Sequence, residues 1–128
     1  MILGCGVDLV EVPRLRRTIR RQRAALLKRL FTVEELAYSR RKRFSAEHLA
    51  ARFAAKEAVA KAFGDRHGLT MRWQDVAVVH AASGQPQIQL VGQARQLQRR
   101  RRVQRIHLSL THTSQYAVAM VVLEGRGA

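Results

Sequence analysis

The feature that most constrains the fold is an alanine-rich stretch from Ser45 to Phe63, which contains no proline or glycine and stops at Gly64. Such a stretch predicts one long helix, which Ser45 can cap at its start and the glycine at its end. At about 100° per residue its large apolar side chains gather on one face, and Lys56 falls inside that face. A charge within an apolar face costs several kcal/mol unless it is paired. Lys56 therefore either extends its ammonium to solvent or meets a partner.

Two carboxylates stand out, Asp8 on a predicted strand and Glu57 on the predicted long helix. Glu57 and Lys61 lie one turn apart at the edge of the apolar face, a spacing that is also typical of an ordinary surface ion pair. Asp8 interrupts the apolar run of a predicted first strand, residues 2–12, whose glycines indicate close approach of another backbone or a ligand. Carboxylates with lysine and arginine are the groups that bind Mg²⁺ and phosphates. Asp8 could equally be a carboxylate on the wet face of a strand.

The net charge restricts the possible partners. Lys and Arg number 24 against 9 acidic residues, which gives a formal charge of +15 and favours a polyanionic partner. Aromatic residues are only 5% and are not interleaved with the basic runs, which argues against a platform that stacks bases. We therefore do not expect nucleic acid as a partner. The predicted helix 13–23 places Leu15 and Ile19 on one face and arginines elsewhere. An acidic partner helix or a phosphate backbone would neutralise it.

Length and cysteine content predict a small cytoplasmic protein. The 128 residues suffice for a single domain, 1–128, with its own core. No apolar run approaches the roughly 20 residues of a membrane span, and the N-terminus has no signal-peptide pattern. The single cysteine excludes an internal disulfide and a multi-cysteine zinc site, and it fits a reducing compartment.

The remaining patterns predict an α+β fold in which an antiparallel sheet packs against the long central helix. The sheet is expected to contain the first strand, a 73–91 hairpin and the last two strands. The other predicted elements are a capping-box helix over 32–41, a loop at 64–68, a basic helix over 92–102, and strands at 106–112 and 116–123. The arginine run 99–102 is interpreted as a solvated helix end.

Two motifs together resemble the signature of the 4'-phosphopantetheinyl transferases. The first is Gly6-Val7-Asp8, followed by Glu11 and Arg14, and the second is Phe53-Ala54-Ala55-Lys56-Glu57-Ala58 with Lys61. The Gly84-Gln85-Pro86 turn and the closing Ser109-Leu110-Thr111-His112-Thr113 are similar to the small bacterial group of that family. The resemblance implies an enzyme that moves phosphopantetheine from coenzyme A to a serine of apo acyl carrier protein, with Mg²⁺ as cofactor.

The resemblance also implies which residues act. Asp8 and Glu57 would ligate Mg²⁺ together with the coenzyme A pyrophosphate, and Lys61 would contact that pyrophosphate, so these are the implied catalytic residues. The residues implied to contact coenzyme A are Arg52, Lys56, Lys61, Gly84, Pro86, Ser109, Thr111 and His112. The residues implied to dock the acidic helix of the carrier protein are Arg14, Arg17 and Arg21.

Several alternatives stay open from the sequence. Lys56 either touches phosphate or is buried and paired. The general base is Glu57 or a metal-bound water held by Asp8, with His112 a weaker candidate. The family's homotrimer would place the Gly84–Pro86 turn beside a neighbouring subunit's nucleotide. The rival function, a small basic nucleic-acid-binding module, leaves the carboxylate pair unexplained.

Overall fold

The computed structural model describes residues 1–65 and 71–126, apart from the side chain of Arg23. Its elements in chain order are β1 (Ile2–Glu11), α1 (Val12–Leu30), α2 (Val33–Arg40), α3 (Ser45–Phe63), β2 (Val76–His80), β3 (Pro86–Leu90), α4 (Gly92–Arg100), β4 (Val103–His112) and β5 (Tyr116–Gly125). The α+β prediction and the bounds of the long helix are confirmed. Of the helices in the described ranges, none is long and apolar enough to cross a membrane.

The strands form two antiparallel sheets, whereas the sequence predicted one. β1, β5 and β4 form a three-stranded sheet in that order, and β2 and β3 form a separate hairpin. The free edge of β2 is occupied by side chains, because Val78 N–H donates to Glu35 and Val76 C=O accepts from Lys56. The start of the predicted hairpin is also different, since Trp73–Asp75 forms a short 3₁₀ turn before β2 begins.

The long helix α3 lies directly on the inner face of the three-stranded sheet. Cβ atoms built at Gly4 and Gly6 would lie 2.3 Å and 2.1 Å from the carbonyl oxygens of Ala62 and Ala58. The close approach that the first-strand glycines indicated is therefore an approach of the α3 backbone. Small side chains on both elements allow it, and the core continues through the buried residues of β5, Ala119, Val121 and Leu123.

The helix ends follow the signals in the sequence, except at the start of α3. The predicted Ser45 cap is wrong, because Ser45 lies in the first turn of α3 and the N-cap position is Phe44, which makes no side-chain cap hydrogen bond. Pro13 stands in the first turn of α1, and the Thr32–Glu35 capping box opens α2 with both of its reciprocal hydrogen bonds. Gly64 ends α3 in the left-handed conformation, with φ of 75°. The loop predicted at 64–68 lies partly outside the described residues. α4 ends at Arg100, slightly before the predicted boundary.

Candidate active site

The two sequence motifs meet where β1 crosses α3. Lys61 Nζ donates to Asp8 Oδ1 at 2.8 Å and to the Val7 carbonyl at 3.2 Å. The Asp8 side chain is 15% exposed, whereas that of Lys61 is 54% exposed. The ion-pair partner of Lys61 in the structure is therefore Asp8, across the sheet–helix interface, and the pair remains open to solvent on the lysine side.

Glu57 is the second carboxylate of this arrangement. Its side chain lies half-buried beside Asp8, and both line the same cavity. Burial raises the pKa of Glu57, the negative charge of Asp8 raises it further, and the Lys61 ammonium partly opposes both effects. Two carboxylates that disfavour each other's charge form a place where a cation is stabilised.

The cavity beside the carboxylates has a volume of about 460 Å³ and lies between β1, α1 and α3. Its apolar wall is formed by Leu9, Val10, Leu15, Leu26, Leu30 and Phe53. Glu11, Arg14 and Thr18 add polar groups from β1 and α1. Of the arginines predicted to dock a carrier protein, Arg14 lines this cavity, whereas Arg17 and Arg21 are exposed elsewhere on α1. The site thus joins a charged end to an apolar wall.

Lys56 does not face this cavity in the structure. Its ammonium lies 2.8 Å from Glu35 Oε1, and it donates to the carbonyls of Trp73 at 3.0 Å and Val76 at 2.5 Å. Neither side chain of the ion pair has any solvent exposure. Burial lowers the pKa of Lys56, and the Glu35 carboxylate opposes that shift. Of the two alternatives left open for Lys56, the structure shows the buried ion pair, because its contacts to α2 and β2 hold the ammonium inside the protein.

Glu35 is the residue that reasoning from sequence missed. The capping box identified its role at the start of α2, and Oε1 does accept from Thr32 N–H at 2.8 Å. The same carboxylate also accepts from Val78 N–H through Oε2 and pairs with Lys56. No local signal connects Glu35 to a lysine 21 positions later, since only the packing of α2 on α3 brings them together.

Arg52 belongs to a different group of side chains. Its guanidinium donates to the His48 carbonyl at 3.1 Å, contacts His80 Nε2 at 3.1 Å and lies 4.3 Å above the Tyr38 ring. The pKa of His80 is lowered, first by burial and then by the positive charge of Arg52. The Arg52 Nε is buried without a hydrogen-bond partner in the described structure. His48 lies one turn before Arg52 on α3, a local spacing. Tyr38 and His80 come from α2 and β2, so no local pattern in the sequence predicts the whole cluster.

His112 lies at the border of the same cluster. Its ring is 5.1 Å from the His48 ring, and its Nδ1 is 4.0 Å from a Glu47 oxygen. Burial lowers the pKa of His48, and the charge of Arg52 lowers it further. The structure therefore brings two predicted site residues, Arg52 and His112, together with two histidines that the sequence analysis did not single out.

The other predicted contacts lie on exposed parts of the sheets. Ser109 and Thr111 are on the outer face of β4, and Gly84 forms the β2–β3 turn with φ of 88°, next to Pro86. In the described ranges, no hydrogen bond or ion pair links these residues to Asp8 or Glu57. Within one chain, the predicted site residues are thus divided between the Asp8 cavity and surfaces elsewhere.

A metal site made by protein groups alone is not present in the described part of the chain. No group of three or more His, Cys, Asp or Glu side chains is placed to hold an ion. Asp8 and Glu57 nevertheless supply two hard oxygen donors on one cavity. Mg²⁺ typically takes one or two carboxylates and completes its shell with water and substrate phosphates. The donor set therefore fits Mg²⁺ that is bound together with a phosphate ligand.

Comparisons with known proteins match nearly the whole chain. The model of the 4'-phosphopantetheinyl transferase superfamily matches residues 4–121. A holo-[acyl-carrier-protein] synthase of Geobacter metallireducens is 45% identical over 126 residues, covering 97% of this chain and 98% of the relative.

Solved structures are similar over the same extent. The crystal structure of holo-[acyl-carrier-protein] synthase from Neisseria meningitidis has a TM-score of 0.89 at 31% identity, and covers 97% of this chain and 99% of that one. The Bacillus anthracis enzyme in complex with CoA (3',5'-ADP) has a TM-score of 0.80 at 30% identity, with coverage of 98% and 99%.

Proposed function

The chain belongs to the 4'-phosphopantetheinyl transferase superfamily, as its two motifs predicted, and we propose that it transfers 4'-phosphopantetheine from coenzyme A to a serine of apo acyl carrier protein. The observation that carries the proposal is that Asp8 and Glu57 line one cavity, with the exposed Lys61 ammonium paired to Asp8 at its edge. These are the residues that the family signature assigns to pyrophosphate chemistry. Full-length relatives named for this reaction support the same substrate and acceptor.

The direct test is mass spectrometry of an apo carrier protein incubated with coenzyme A and Mg²⁺, with and without this protein. A phosphopantetheine mass gain that requires the protein supports the proposal, and its absence contradicts it. Parallel incubations with a fatty-acid carrier and a polyketide carrier would show which acceptor is used. Transfer is proposed to occur in the cytoplasm, where a free, exposed cysteine such as Cys5 stays reduced.

Asp8 and Glu57 are the residues proposed to hold Mg²⁺. When bound, the ion would supply positive charge to the pyrophosphate oxygens of coenzyme A. Calorimetry with Mg²⁺ and coenzyme A tests the assignment without a reaction. Mg²⁺-dependent binding of coenzyme A should be present in the wild type and strongly weakened in Asp8→Asn, and an unchanged Mg²⁺ dependence would contradict it.

The side chains of the cavity have distinct roles in the proposed reaction. The carrier serine oxygen forms a bond to the pyrophosphate phosphorus, and the bond to adenosine 3',5'-bisphosphate breaks. The exposed Lys61 ammonium can leave Asp8 for a phosphate oxygen and balance the charge of the leaving phosphate. The serine proton would go to a Glu57 oxygen that does not hold Mg²⁺, since an oxygen that binds the ion is a poor base.

The carrier protein is proposed to dock on α1. Arg14, Arg17 and Arg21 are exposed there, and Arg14 lines the cavity that contains the carboxylates. An acidic helix on this surface would bring its serine close to the reaction site. Charge-mediated docking predicts a higher KM for the carrier in the Arg14→Gln/Arg17→Gln/Arg21→Gln variant, with a smaller dependence of kcat/KM on salt.

We also propose that the protein is a homotrimer whose subunits complete one another's nucleotide site. The outer face of the three-stranded sheet exposes large apolar side chains: Val7 is 58% exposed, Leu9 60% and Met120 50%. In that trimer the Gly84–Pro86 turn would border a neighbouring subunit's nucleotide. Light scattering should give a trimer mass, which Met120→Lys should reduce, whereas a wild-type monomer would contradict the proposal.

A further inference from the structure

A strongly basic surface lies on α4 and the start of β4. Its arginines are all exposed, and we name it the α4 arginine surface: Arg95, Arg99, Arg100, Arg101, Arg102 and Arg105. Residues 91–112 contain no Asp or Glu. Within 1–65 and 71–126, none of these arginines forms an ion pair, and Glu124, opposite Arg105 in the sheet, instead bonds His107 at 2.9 Å. The positive charge of this surface is therefore not neutralised by the chain itself.

The surface is separate from the proposed active site. Val103 pairs with Gly125 at one end of the three-stranded sheet, whereas Asp8 pairs with Ala119. These two positions are six residues apart along β5, which corresponds to roughly 20 Å of strand. The N-terminal ammonium, which donates to the Gly125 carbonyl at 2.8 Å, adds a further positive charge at the same end. The proposed transferase reaction uses none of these groups.

The backbone at this surface is unfavourable for arginine. Arg102 has φ of 56°. In the described chain it is the one residue other than glycine whose backbone is left-handed. The position follows the end of α4, where glycine is strongly preferred because a Cβ is strained there. An arginine at this position keeps the charge run continuous from Arg99 to Arg102.

The chemistry of α4 favours a phosphate backbone. Ala94 and Leu97 are buried, and the outward face presents only Gln and Arg: Gln93, Arg95, Gln96, Arg99 and Arg100. A protein partner would normally find an apolar or aromatic anchor at the centre of its interface, and the outward face of α4 has none. Without aromatic side chains the surface lacks the rings on which unpaired bases usually stack. Arginine and glutamine side chains suit phosphates and the base edges of a duplex.

We infer that the α4 arginine surface is a second site, which binds the phosphate backbone of double-stranded nucleic acid. Binding would depend on counterion release, with little dependence on base sequence. The inference goes beyond the proposed transferase reaction and does not depend on it. The shortage of aromatic residues, which argues against a base-stacking platform, does not exclude this mode.

The test compares two variants that remove the same charge. Arg99→Gln/Arg100→Gln/Arg101→Gln alters the α4 arginine surface, and Arg14→Gln/Arg17→Gln/Arg21→Gln alters α1. Fluorescence anisotropy with a labelled DNA duplex of mixed sequence, at several salt concentrations, measures binding by the full chain. The α4 variant should bind at least about tenfold more weakly, and its slope of log K against log salt should fall by roughly 3. The α1 variant should keep most of its affinity.

Transferase activity and competing ligands complete the test. The α4 variant should keep wild-type phosphopantetheine transfer and thermal stability, so that lost duplex binding cannot come from unfolding. Equal weakening in both variants would overturn the inference, since it would reflect net charge alone. Tighter binding of polyglutamate than of the duplex would also overturn it. So would tighter binding of anionic vesicles, whose surface the exposed Met1 and Ile2, at the same end of the sheet, could enter. No duplex binding by the wild type at low salt would also overturn it.

Discussion

Two lysines of α3 each lie 2.8 Å from a carboxylate, and their surroundings are opposite. Lys56 and Glu35 have no solvent-exposed side-chain surface, whereas Lys61 is 54% exposed beside Asp8. The buried ammonium also donates to two backbone carbonyls, so it has no freedom to change partners. The exposed ammonium can move to a ligand at little cost. Desolvation, and not distance, separates a structural ion pair from one that is suited to chemistry.

The two pairs are connected through the geometry of one helix. Glu57 follows Lys56 directly, so their side chains point about 100° apart around α3. Fixing Lys56 toward α2 and β2 also fixes the direction in which Glu57 faces. The buried pair therefore positions a carboxylate of the proposed active site without touching its cavity.

The largest effect should come from breaking the buried pair. Glu35→Ala leaves the buried Lys56 charge without a counter-ion and the Val78 N–H without an acceptor, and we expect a loss of about 3–5 kcal/mol in the free energy of unfolding. Denaturant unfolding measures it. The matched control is Glu34→Ala, which removes the exposed neighbouring carboxylate and should cost no more than about 0.5 kcal/mol. Equal losses in the two variants would show that the burial of Glu35 is energetically unimportant.

The next largest effect should separate chemistry from stability. Asp8→Asn and Glu57→Gln are each expected to lower the transfer rate about 10²–10³-fold, because charge stabilisation at the pyrophosphate is lost. Asp8→Asn should change the free energy of unfolding by less than about 1 kcal/mol, since its ion pair is solvent-exposed. Glu34→Gln, which changes an exposed carboxylate on α2 outside this cavity, is the control and should keep wild-type activity. Near-wild-type rates in both variants would contradict the proposed metal ligands.

A third test examines Lys61, the exposed ion-pair partner of Asp8. Lys61→Met should lower kcat about 10²-fold and change the KM for coenzyme A less, because the ammonium is proposed to act mainly as the phosphate leaves. Lys61→Arg keeps the charge and should recover part of the rate. Steady-state kinetics with varied coenzyme A distinguish the two parameters. A rise in KM alone would assign Lys61 to binding.

The smallest effect concerns Arg52, a third cation of α3, which belongs to neither ion pair. Its contact with His80 requires a neutral imidazole as acceptor, and the pKa of His80 is lowered from its ordinary value of 6.5. Below that value the unfolded chain binds more protons than the folded one, so stability should fall as pH falls. The melting temperature should drop by roughly 2 °C between about pH 7 and pH 5.5 from this source. His80→Gln should have a flatter profile, and an identical profile would contradict the effect.

The sequence predicted local structure well where a local signal existed. The Ser45–Phe63 helix, the Thr32–Glu35 capping box and the glycine contacts of β1 needed only propensity, capping and steric arguments. The single predicted sheet was wrong. The sequence could not show this, because pairing between the β2–β3 hairpin and β4 depends on long-range packing. Neither could it show the cluster around Arg52.

The sequence by itself determined the elements, the family and the identity of the paired carboxylates, because these depend on short-range patterns and a two-part motif. Only the tertiary structure decided which cation each carboxylate receives. Lys61 is one turn from Glu57 in sequence and yet pairs with Asp8, and Lys56 pairs with a residue on another helix. Long-range packing sets both the partner and the exposure of each pair, and exposure determines whether an ion pair can exchange for a ligand.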